Sequence, residues 1–211
     1  MGRYTGPVCK RCRREGQKLF LKGIKCYTEK CPVDRRQYPP GQHGPASVRR
    51  RKQSEYSVQL REKQKVKRIY GLQEQQFRNL FKYAANRPGV TGENLVVALE
   101  SRLDNVVFRM GFASSRKAAR QLVRHRHVEV NGHTVDIPSY VVSAGDEIAL
   151  RGKSKELELV EASLGARSRP QLLDWLALDE AKRVGRMVRV PTRGDIPLAA
   201  QEQLIVELYS K

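Results

Sequence analysis

Four cysteines lie within the first 31 residues of the chain, at Cys9, Cys12, Cys26 and Cys31. Their spacing, Cys-x2-Cys-x13-Cys-x4-Cys, forms two close pairs separated by a short loop, which allows four thiolates to converge on one tetrahedral ion. Four protein ligands leave no position for water, so we expect one structural zinc site that stabilises residues 1–36. A four-iron cluster, which uses the same thiolate set, is an alternative. The other alternative is four unconnected thiols.

Positive charge is concentrated in the first third of the chain. The protein has 211 residues and a formal net charge of +19. Residues 1–70 contain 20 Lys and Arg against 5 Asp and Glu, a net of +15, whereas residues 71–211 contain 21 against 17, a net of +4. A segment this basic repels itself unless a polyanion neutralises it, so nucleic acid is the leading partner class. A solubilising or membrane-surface segment is the alternative.

Two elements are predicted to carry the charge of the first 70 residues. Residues 37–53 combine Pro and Gly turns with the basic run Arg49-Arg50-Arg51-Lys52, a pattern typical of an extended arm. Ser54 can cap a helix that runs to about Tyr70 and ends at Gly71. One face of that helix would present Arg61, Lys65 and Arg68.

A second basic helix is predicted after Ser114 or Ser115, either of which can cap it. Its apolar side carries Ala118, Ala119, Leu122 and Val123. Its cationic side carries Arg116, Lys117, Arg120 and Arg124. We expect the apolar side to pack on its own domain and the cationic side to face outward, where guanidinium groups can contact phosphates. An ordinary solvated basic helix is the alternative.

The remaining pattern predicts a mixture of helices and short strands. Residues 127–137 predict two strands joined by a type I′ turn at Asn131-Gly132. The break RPGVTG at 87–92 is a candidate boundary, and ENLVVALESRLDNVVFRMG at 93–111 predicts one helix. Further strands are expected at SYVVS, DEIAL, DWLALD and RMVRVP, and a helix at SKELELVEASLG. The end, EQLIVELYS at 202–210, is ambiguous between helix and strand, with helix favoured.

The sequence shows no enzyme signature. It lacks a Gly-rich phosphate loop, a Gly-x-Ser-x-Gly elbow and a zincin helix. Asp104, within the SRLDN motif, is interpreted as an exposed or ion-paired helical carboxylate rather than a catalytic one. No apolar run approaches the ~18 residues that a spanning helix needs, and the N-terminus lacks an apolar signal core. We therefore expect an intracellular protein, where cysteines favour metal or free thiols over disulfides.

Several motifs resemble a known family. The segment SRLDNVVFRMGFASSRKAARQLVRHRHVEVNG, followed by VDIPSY and AGDEI, resembles the αL RNA-binding module. The other motifs are MGRY, YPPGQHG at 38–44, LREKQKVKRIYGL at 60–72, QFRNLF at 76–81, GVTGENL at 89–95 and EQLIVELYSK at the end. Together they resemble the family of the bacterial small-subunit ribosomal protein four, in its four-cysteine form, over nearly the full length.

The resemblance implies an α+β fold with a mainly helical N-terminal domain, a metal-binding N-terminus and an inserted αL module with small antiparallel strands. The implied domains are 1–36 for the metal-binding segment, 37–93 for the basic arm and helical domain, completed by 187–211, and 94–186 for the αL domain, with 101–150 as its core.

The resemblance also implies a function. The chain would be a structural protein of the ribosome in the cytoplasm and a primary binder of small-subunit ribosomal RNA. It would nucleate assembly of the subunit body, adjoin protein five and contribute to translational accuracy. Charge and resemblance together nominate as RNA-binding Arg3, Arg13, Arg14, Arg35, Arg36, Tyr38, Gln42, His43, Arg49, Arg50, Arg51, Lys52, Arg61, Lys65, Arg68, Arg116, Lys117, Arg120, Arg124 and His125.

The sequence departs from the family pattern in three places. Arg126 stands where the family usually has Gly, and a left-handed conformation there would cost a non-Gly residue ~1 kcal/mol. Gln73 stands where many members have a capping Ser, so we expect a frayed start to the following helix. Residues 165–186 match only loosely. The rival functions are an RNA-modifying enzyme and a zinc-containing DNA-binding regulator.

Overall fold

The chain folds into two compact units in the computed structural model, which describes residues 4–45, 54–166 and 172–210. The terminal unit comprises Met1–Gly92 together with Leu198–Lys211, and the central unit comprises Glu93–Pro197. The segment that returns to the terminal unit is therefore shorter than the predicted range 187–211. Five nominated RNA-binding residues lie outside the described residues: Arg3, Arg49, Arg50, Arg51 and Lys52.

The described part of the terminal unit is helical. Its helices are α1 (Cys9–Glu15), α2 (Pro32–Arg35), α3 (Glu55–Ile69), α4 (Glu74–Ala85) and α9 (Glu202–Tyr209), with a 3₁₀ helix at Gly23–Tyr27. As predicted, the Ser54 hydroxyl accepts a hydrogen bond from the Ser57 backbone N–H and caps α3. The helix ends before Gly71, whose φ of 67° is left-handed and costs glycine little.

Helices α3, α4 and α9 form the core of the terminal unit. Val66 of α3, Phe77 and Ala84 of α4 and Ile205 of α9 are buried. The Tyr209 ring of α9 stacks on Phe81 with 4.5 Å between ring centroids. Phe77 and Ala84 thus place the apolar side of α4 in this core, and the helical interpretation of residues 202–210 is confirmed.

The described part of the central unit combines four α-helices with one antiparallel sheet. The helices are α5 (Thr91–Glu100), which begins in the terminal unit, α6 (Leu103–Arg109), α7 (Arg116–Arg124) and α8 (Glu158–Leu164). The strands are β1 (Val128–Val130), β2 (His133–Thr134), β3 (Glu147–Leu150), β4 (Leu176–Asp179) and β5 (Val184–Met187), in the order β2-β1-β3-β5-β4. The α+β fold class is therefore confirmed.

The predicted hairpin between β1 and β2 is present. Asn131 and Gly132 have φ values of 51° and 80°, and two left-handed residues are what a type I′ turn requires. The Asn131 side chain donates to Asp146 Oδ1 at 2.8 Å and accepts from the Glu147 N–H at 2.9 Å. The turn is thereby tied to the start of β3.

One hydrophobic core joins the sheet of the central unit to its helices. Phe112, Ile148, Trp175 and Met187 are fully buried within it. A Cβ atom at Gly185 of β5 would lie 2.6 Å from the sulfur of Met110, so a larger residue there would displace the buried Met110 side chain.

The prediction of one continuous helix over residues 93–111 is wrong. Helix α5 ends at Glu100, and α6 begins only at Leu103, because the chain at Arg102 is extended. The backbone there pairs with a distant segment: the Val142 N–H donates to Ser101 O at 2.8 Å, and the Leu103 N–H donates to Tyr140 O at 2.8 Å. The SYVVS segment forms only this isolated bridge, not the predicted strand.

Candidate nucleic-acid interface

The four cysteines lie near one another in the terminal unit, as free thiols. Cys12, Cys26 and Cys31 are buried, and Cys9 is half-buried. Burial raises the pKa of the Cys12 thiol, and the nearby charges of Cys26, Cys9 and Cys31 raise it further. Burial likewise raises the pKa of the Cys26 thiol.

Among the described residues, which include all four cysteines, no group of three or more His, Cys, Asp or Glu side chains is arranged to hold a metal ion. Thiols are nonetheless the ligands that soft divalent metals prefer, and three of the four are buried. The Cys26 sulfur accepts a hydrogen bond from the Lys22 backbone N–H at 3.4 Å. The metal site stays a prediction.

Arg13 of α1 positions the YPPGQHG segment. Its Nε donates to Tyr38 O at 3.0 Å and its Nη2 to Pro39 O at 3.2 Å, while the guanidinium lies 4.7 Å from the centroid of the Tyr38 ring. A Cβ atom at Gly44 would lie 2.1 Å from the carbonyl oxygen of Pro39, so this tight loop requires glycine. The other nominated side chains of this region are exposed: Arg14, Arg35, Arg36, Gln42 and His43.

The basic face of α3 is partly engaged within the protein. Arg68 and Arg61 both pair with Glu15 of α1, the latter at 3.6 Å, and Lys65 pairs with Glu62 at 2.7 Å. Burial raises the pKa of the Glu15 carboxyl despite the two guanidinium groups, and burial lowers the pKa of Arg68. Desolvation therefore opposes both charges, so Arg61 and Arg68 have a structural role as well as any role towards RNA.

The cationic side of α7 does not face outward as a whole, which corrects the expectation from the sequence. Arg116 donates through Nε to Asn105 Oδ1 at 2.8 Å, and its guanidinium lies 4.6 Å from the centroid of the Phe108 ring. Arg120 pairs with Asp104 at 3.5 Å. Both side chains are largely covered, and each has an acidic partner on another helix, since Arg116 also lies 3.8 Å from Glu100. The exposed cations of α7 are Lys117 and Arg124, followed by His125.

A buried polar network, which the sequence did not predict, holds α6 and α7. The Glu100 side chain is 0% exposed and accepts two hydrogen bonds from Arg109, at 2.9 and 2.7 Å, and one from Asn105 Nδ2 at 2.7 Å. Asp104, buried, accepts two hydrogen bonds from Arg102. The sequence signal for this network was the presence of acidic and basic residues inside the otherwise apolar run of residues 93–111. Asp104 is thus ion-paired, in agreement with one of the two interpretations from the sequence.

The chain leaves α7 through a left-handed residue. Arg126 has a φ of 63°, and its N–H donates to Val123 O at 3.0 Å. The left-handed exit expected from the family glycine is therefore kept, although the residue is arginine. Its side chain makes an exposed pair with Asp136 at 3.2 Å.

The fold and the charge together define a class of protein. A strongly basic α+β chain, with a basic helix that leads into a small antiparallel sheet, has the character of a nucleic-acid-binding protein. No helix in the described ranges is long and apolar enough to cross a membrane.

Comparison with known proteins identifies the family. The model for the ribosomal protein S4/S9 N-terminal domain matches residues 3–100, and the model for the S4 domain matches residues 101–148. The chain is 56% identical to the small ribosomal subunit protein uS4 of Thermus thermophilus over 211 residues, all of both chains. It is 57% identical, again over the full length of both, to the protein of the same name from Thermoanaerobacter sp. strain X514. The protein from Thermodesulfovibrio yellowstonii is 56% identical over the same extent.

The chain therefore belongs to the family of the small ribosomal subunit protein uS4. The resemblance found from its motifs is confirmed. The prediction that the chain is not an enzyme is also confirmed, because it rests on this family membership.

Proposed function

We propose that the protein is a structural component of the small ribosomal subunit that binds the ribosomal RNA of that subunit. The single observation that carries this function is 56–57% identity, over the full length, to relatives named small ribosomal subunit protein uS4. The net charge of +19 supports it, since a chain this basic requires a polyanion.

Each unit has exposed side chains that we propose bind RNA. In the central unit they are Lys117, Arg124 and His125, and in the terminal unit they are Arg14, Arg35, Arg36, Gln42 and His43. Arg3 and the run Arg49 to Lys52 belong to the proposal on charge alone. Cations at these positions neutralise phosphates, and the folded surface recognises the shape of the RNA.

The partly buried members of the nominated set have a second role in this proposal. Arg13 holds the backbone of the YPPGQHG segment and stacks near Tyr38. Arg61, Lys65 and Arg68 are held by Glu15 and Glu62. A guanidinium has five N–H donors, so Arg61 and Arg68 can hold Glu15 and still direct donors to a phosphate. The remaining two, Arg116 and Arg120, are treated as residues that position α7.

The proposed cofactor is one zinc ion bound by Cys9, Cys12, Cys26 and Cys31, with a four-iron cluster as the alternative. Support comes from the spacing and from the burial of three of the four thiols. When bound, the metal would neutralise thiolate charge and connect α1 to the start of α2. In this proposal the four cysteines only bind the metal and orient the backbone around it.

The resemblance also supports a finer description of the function. The protein would nucleate assembly of the subunit body, contact protein five, contribute to translational accuracy and stay ribosome-bound in the cytoplasm. The proposed domains are 1–36, 37–93 with 187–211, and 94–186. The division of the fold at Gly92 and at Leu198 supports an inserted αL domain, with a C-terminal boundary later than that range.

Sedimentation tests the proposed function. An epitope-tagged chain expressed in its host should sediment with small subunits in a sucrose gradient. Crosslinking followed by RNA sequencing should recover small-subunit ribosomal RNA. Recovery in a slowly sedimenting fraction, with transfer RNA or DNA as the crosslinked species, would refute the proposal and favour the modifying enzyme or the regulator.

A further inference from the structure

Two exposed aromatic side chains stack on each other beside the cysteines. The ring centroids of Phe20 and Tyr27 are 4.9 Å apart, with 30° between the ring planes. Phe20 is 40% exposed and Tyr27 is 50% exposed. A stacked pair contributes to a core when it is buried, but this pair presents a substantial part of its surface to solvent. An exposed aromatic surface of this kind is informative about binding.

Buried neighbours hold both rings at the surface. Leu19 and Cys26, the residues immediately before Phe20 and Tyr27, are buried. The Lys22 N–H donates to the Cys26 sulfur at 3.4 Å and closes the turn between the two aromatic residues. Each ring therefore follows an anchored residue, so the relative position of the rings is set by the fold.

Phe20 keeps its place in an unfavourable backbone conformation. Its φ is 51°, in the left-handed region that bulky residues rarely adopt. Such a conformation persists only where the surrounding structure determines it, and it is found disproportionately in binding and catalytic sites.

The charges around the pair favour a polyanionic ligand. Between Phe20 and Lys30, the exposed cations are Lys22, Lys25 and Lys30, and Glu29 is the one exposed carboxylate. Exposed aromatic rings beside cations are the combination that single-stranded nucleic-acid binders use, because every base has a π-face and every nucleotide carries a phosphate.

We propose that Phe20 and Tyr27 form a platform on which an unpaired base of RNA stacks, with Lys22 and Lys25 neutralising the neighbouring phosphates. The inference rests on the proposed binding of ribosomal RNA and assigns it a specific subsite. The interaction is sequence-tolerant, since stacking requires a flat base and no particular hydrogen-bonding edge.

Ring-removing and ring-keeping variants test the platform. The full-length chain and its variants Phe20→Leu, Tyr27→Leu and Tyr27→Phe are titrated against small-subunit ribosomal RNA at several salt concentrations. Each Leu variant should weaken binding about tenfold with an unchanged slope of log affinity against log salt, because stacking releases no counterions. The Tyr27→Phe variant should bind like the parent.

Two further variants serve as controls. Lys22→Gln with Lys25→Gln should flatten the salt slope by roughly 0.7 to 0.9 for each phosphate that the variant no longer neutralises. Tyr56→Leu, which removes a tyrosine that is 59% exposed on α3, should leave the affinity unchanged. Irradiation of the parent complex at short ultraviolet wavelength should give nucleotide adducts on the peptide that contains Phe20 or Tyr27.

The outcomes separate the platform from the proposed function. If the parent binds the RNA tightly while the Leu variants bind equally well, the platform is refuted and the function stands. Weakened binding by Tyr27→Phe would also refute the platform, because that variant keeps the aromatic ring. A flattened salt slope in the Leu variants would refute it as well, because the substitutions would then have removed phosphate contacts by altering the fold of the segment. A parent that fails to bind small-subunit RNA would overturn both proposals.

Discussion

Arg116 donates a hydrogen bond from Nε to Oδ1 of Asn105 at 2.8 Å. Asn105 in turn donates to the buried Glu100 carboxylate at 2.7 Å. Arg116, whose charge suggested an outward, RNA-facing role, therefore connects the basic helix α7 to α6. This relationship changes which variants can separate binding from folding.

Reversing Arg116 and Arg120 to Glu should destabilise the central unit by about 3 kcal/mol, because the new carboxylates would face Glu100 and Asp104, which are buried. Thermal melts followed by the fluorescence of Trp175, the single tryptophan, measure this effect. The matched control reverses Lys117 and Arg124, two exposed cations of the same helix. That control should lower RNA affinity while reducing stability by less than about 1 kcal/mol. Equal melting temperatures for the two double variants would contradict the inward placement.

Arg126→Gly should stabilise the central unit by about 0.5–1 kcal/mol, because glycine adopts the observed φ of 63° without strain. The substitution also removes the ion pair between Arg126 and Asp136, whose side chains are 69% and 36% exposed respectively. Exposed ion pairs of this kind contribute little to stability. Urea unfolding measures the difference. Arg126→Ala keeps the left-handed conformation and should show no gain, so a gain in both variants would mean that the arginine side chain, and not its backbone, is unfavourable.

Acid should weaken the terminal unit through Glu74. Burial raises the pKa of this carboxyl, but hydrogen bonds from Lys63 and Lys67 outweigh burial and lower the pKa from 4.5 to about 2. Folding thus favours the ionised form, so its contribution to stability is complete above about pH 5 and is lost as the pH falls through about 2. Glu74→Gln should be less stable than the parent at pH 7, and the difference should shrink towards pH 2. The control variant Glu147→Gln removes an exposed carboxylate of β3 and should change stability at pH 7 by less than about 0.5 kcal/mol. A pH-independent deficit in Glu74→Gln would contradict the assignment.

If the proposed metal site is present, Cys12→Ser should release its ion and disorder residues 1–36. The Trp175 signal of the central unit should stay unchanged, since the cysteines and Trp175 lie in separate units. Elemental analysis of freshly isolated parent protein should give close to one zinc, or a four-iron content, per chain. The absence of both metals from that preparation would refute the site.

Local signals in the sequence predicted the parts of the fold that depend on neighbouring residues. Ser54 and Ser115 cap α3 and α7 because a cap requires only a hydroxyl and the next turn of backbone. The Asn131-Gly132 pair predicted the hairpin because the turn likewise depends only on adjacent residues. The break between α5 and α6 could not be predicted, since it depends on backbone pairing of Ser101 and Arg102 with a segment about forty residues later.

The candidate site shows the same division between local and distant information. The charge, the helix and its apolar side were predictable from periodicity. The inward orientation of Arg116 and Arg120 was not, because their partners Glu100 and Asp104 lie on other helices and only the fold brings them together. The expected fraying of α4 after Gln73 was also not evident, since the Gln76 side chain accepts from the Gln73 N–H at 3.4 Å.

Equilibrium binding to purified RNA tests the central claim most directly. The full-length chain is titrated against small-subunit ribosomal RNA in about 0.15 M salt. Large-subunit ribosomal RNA, which carries the same charge per nucleotide, serves as the competitor. Recognition of RNA shape predicts that small-subunit RNA binds at least about a hundredfold more tightly, a preference of ~2.7 kcal/mol. Equal affinity for the two RNAs would show that the chain binds by charge alone and would contradict the proposed function.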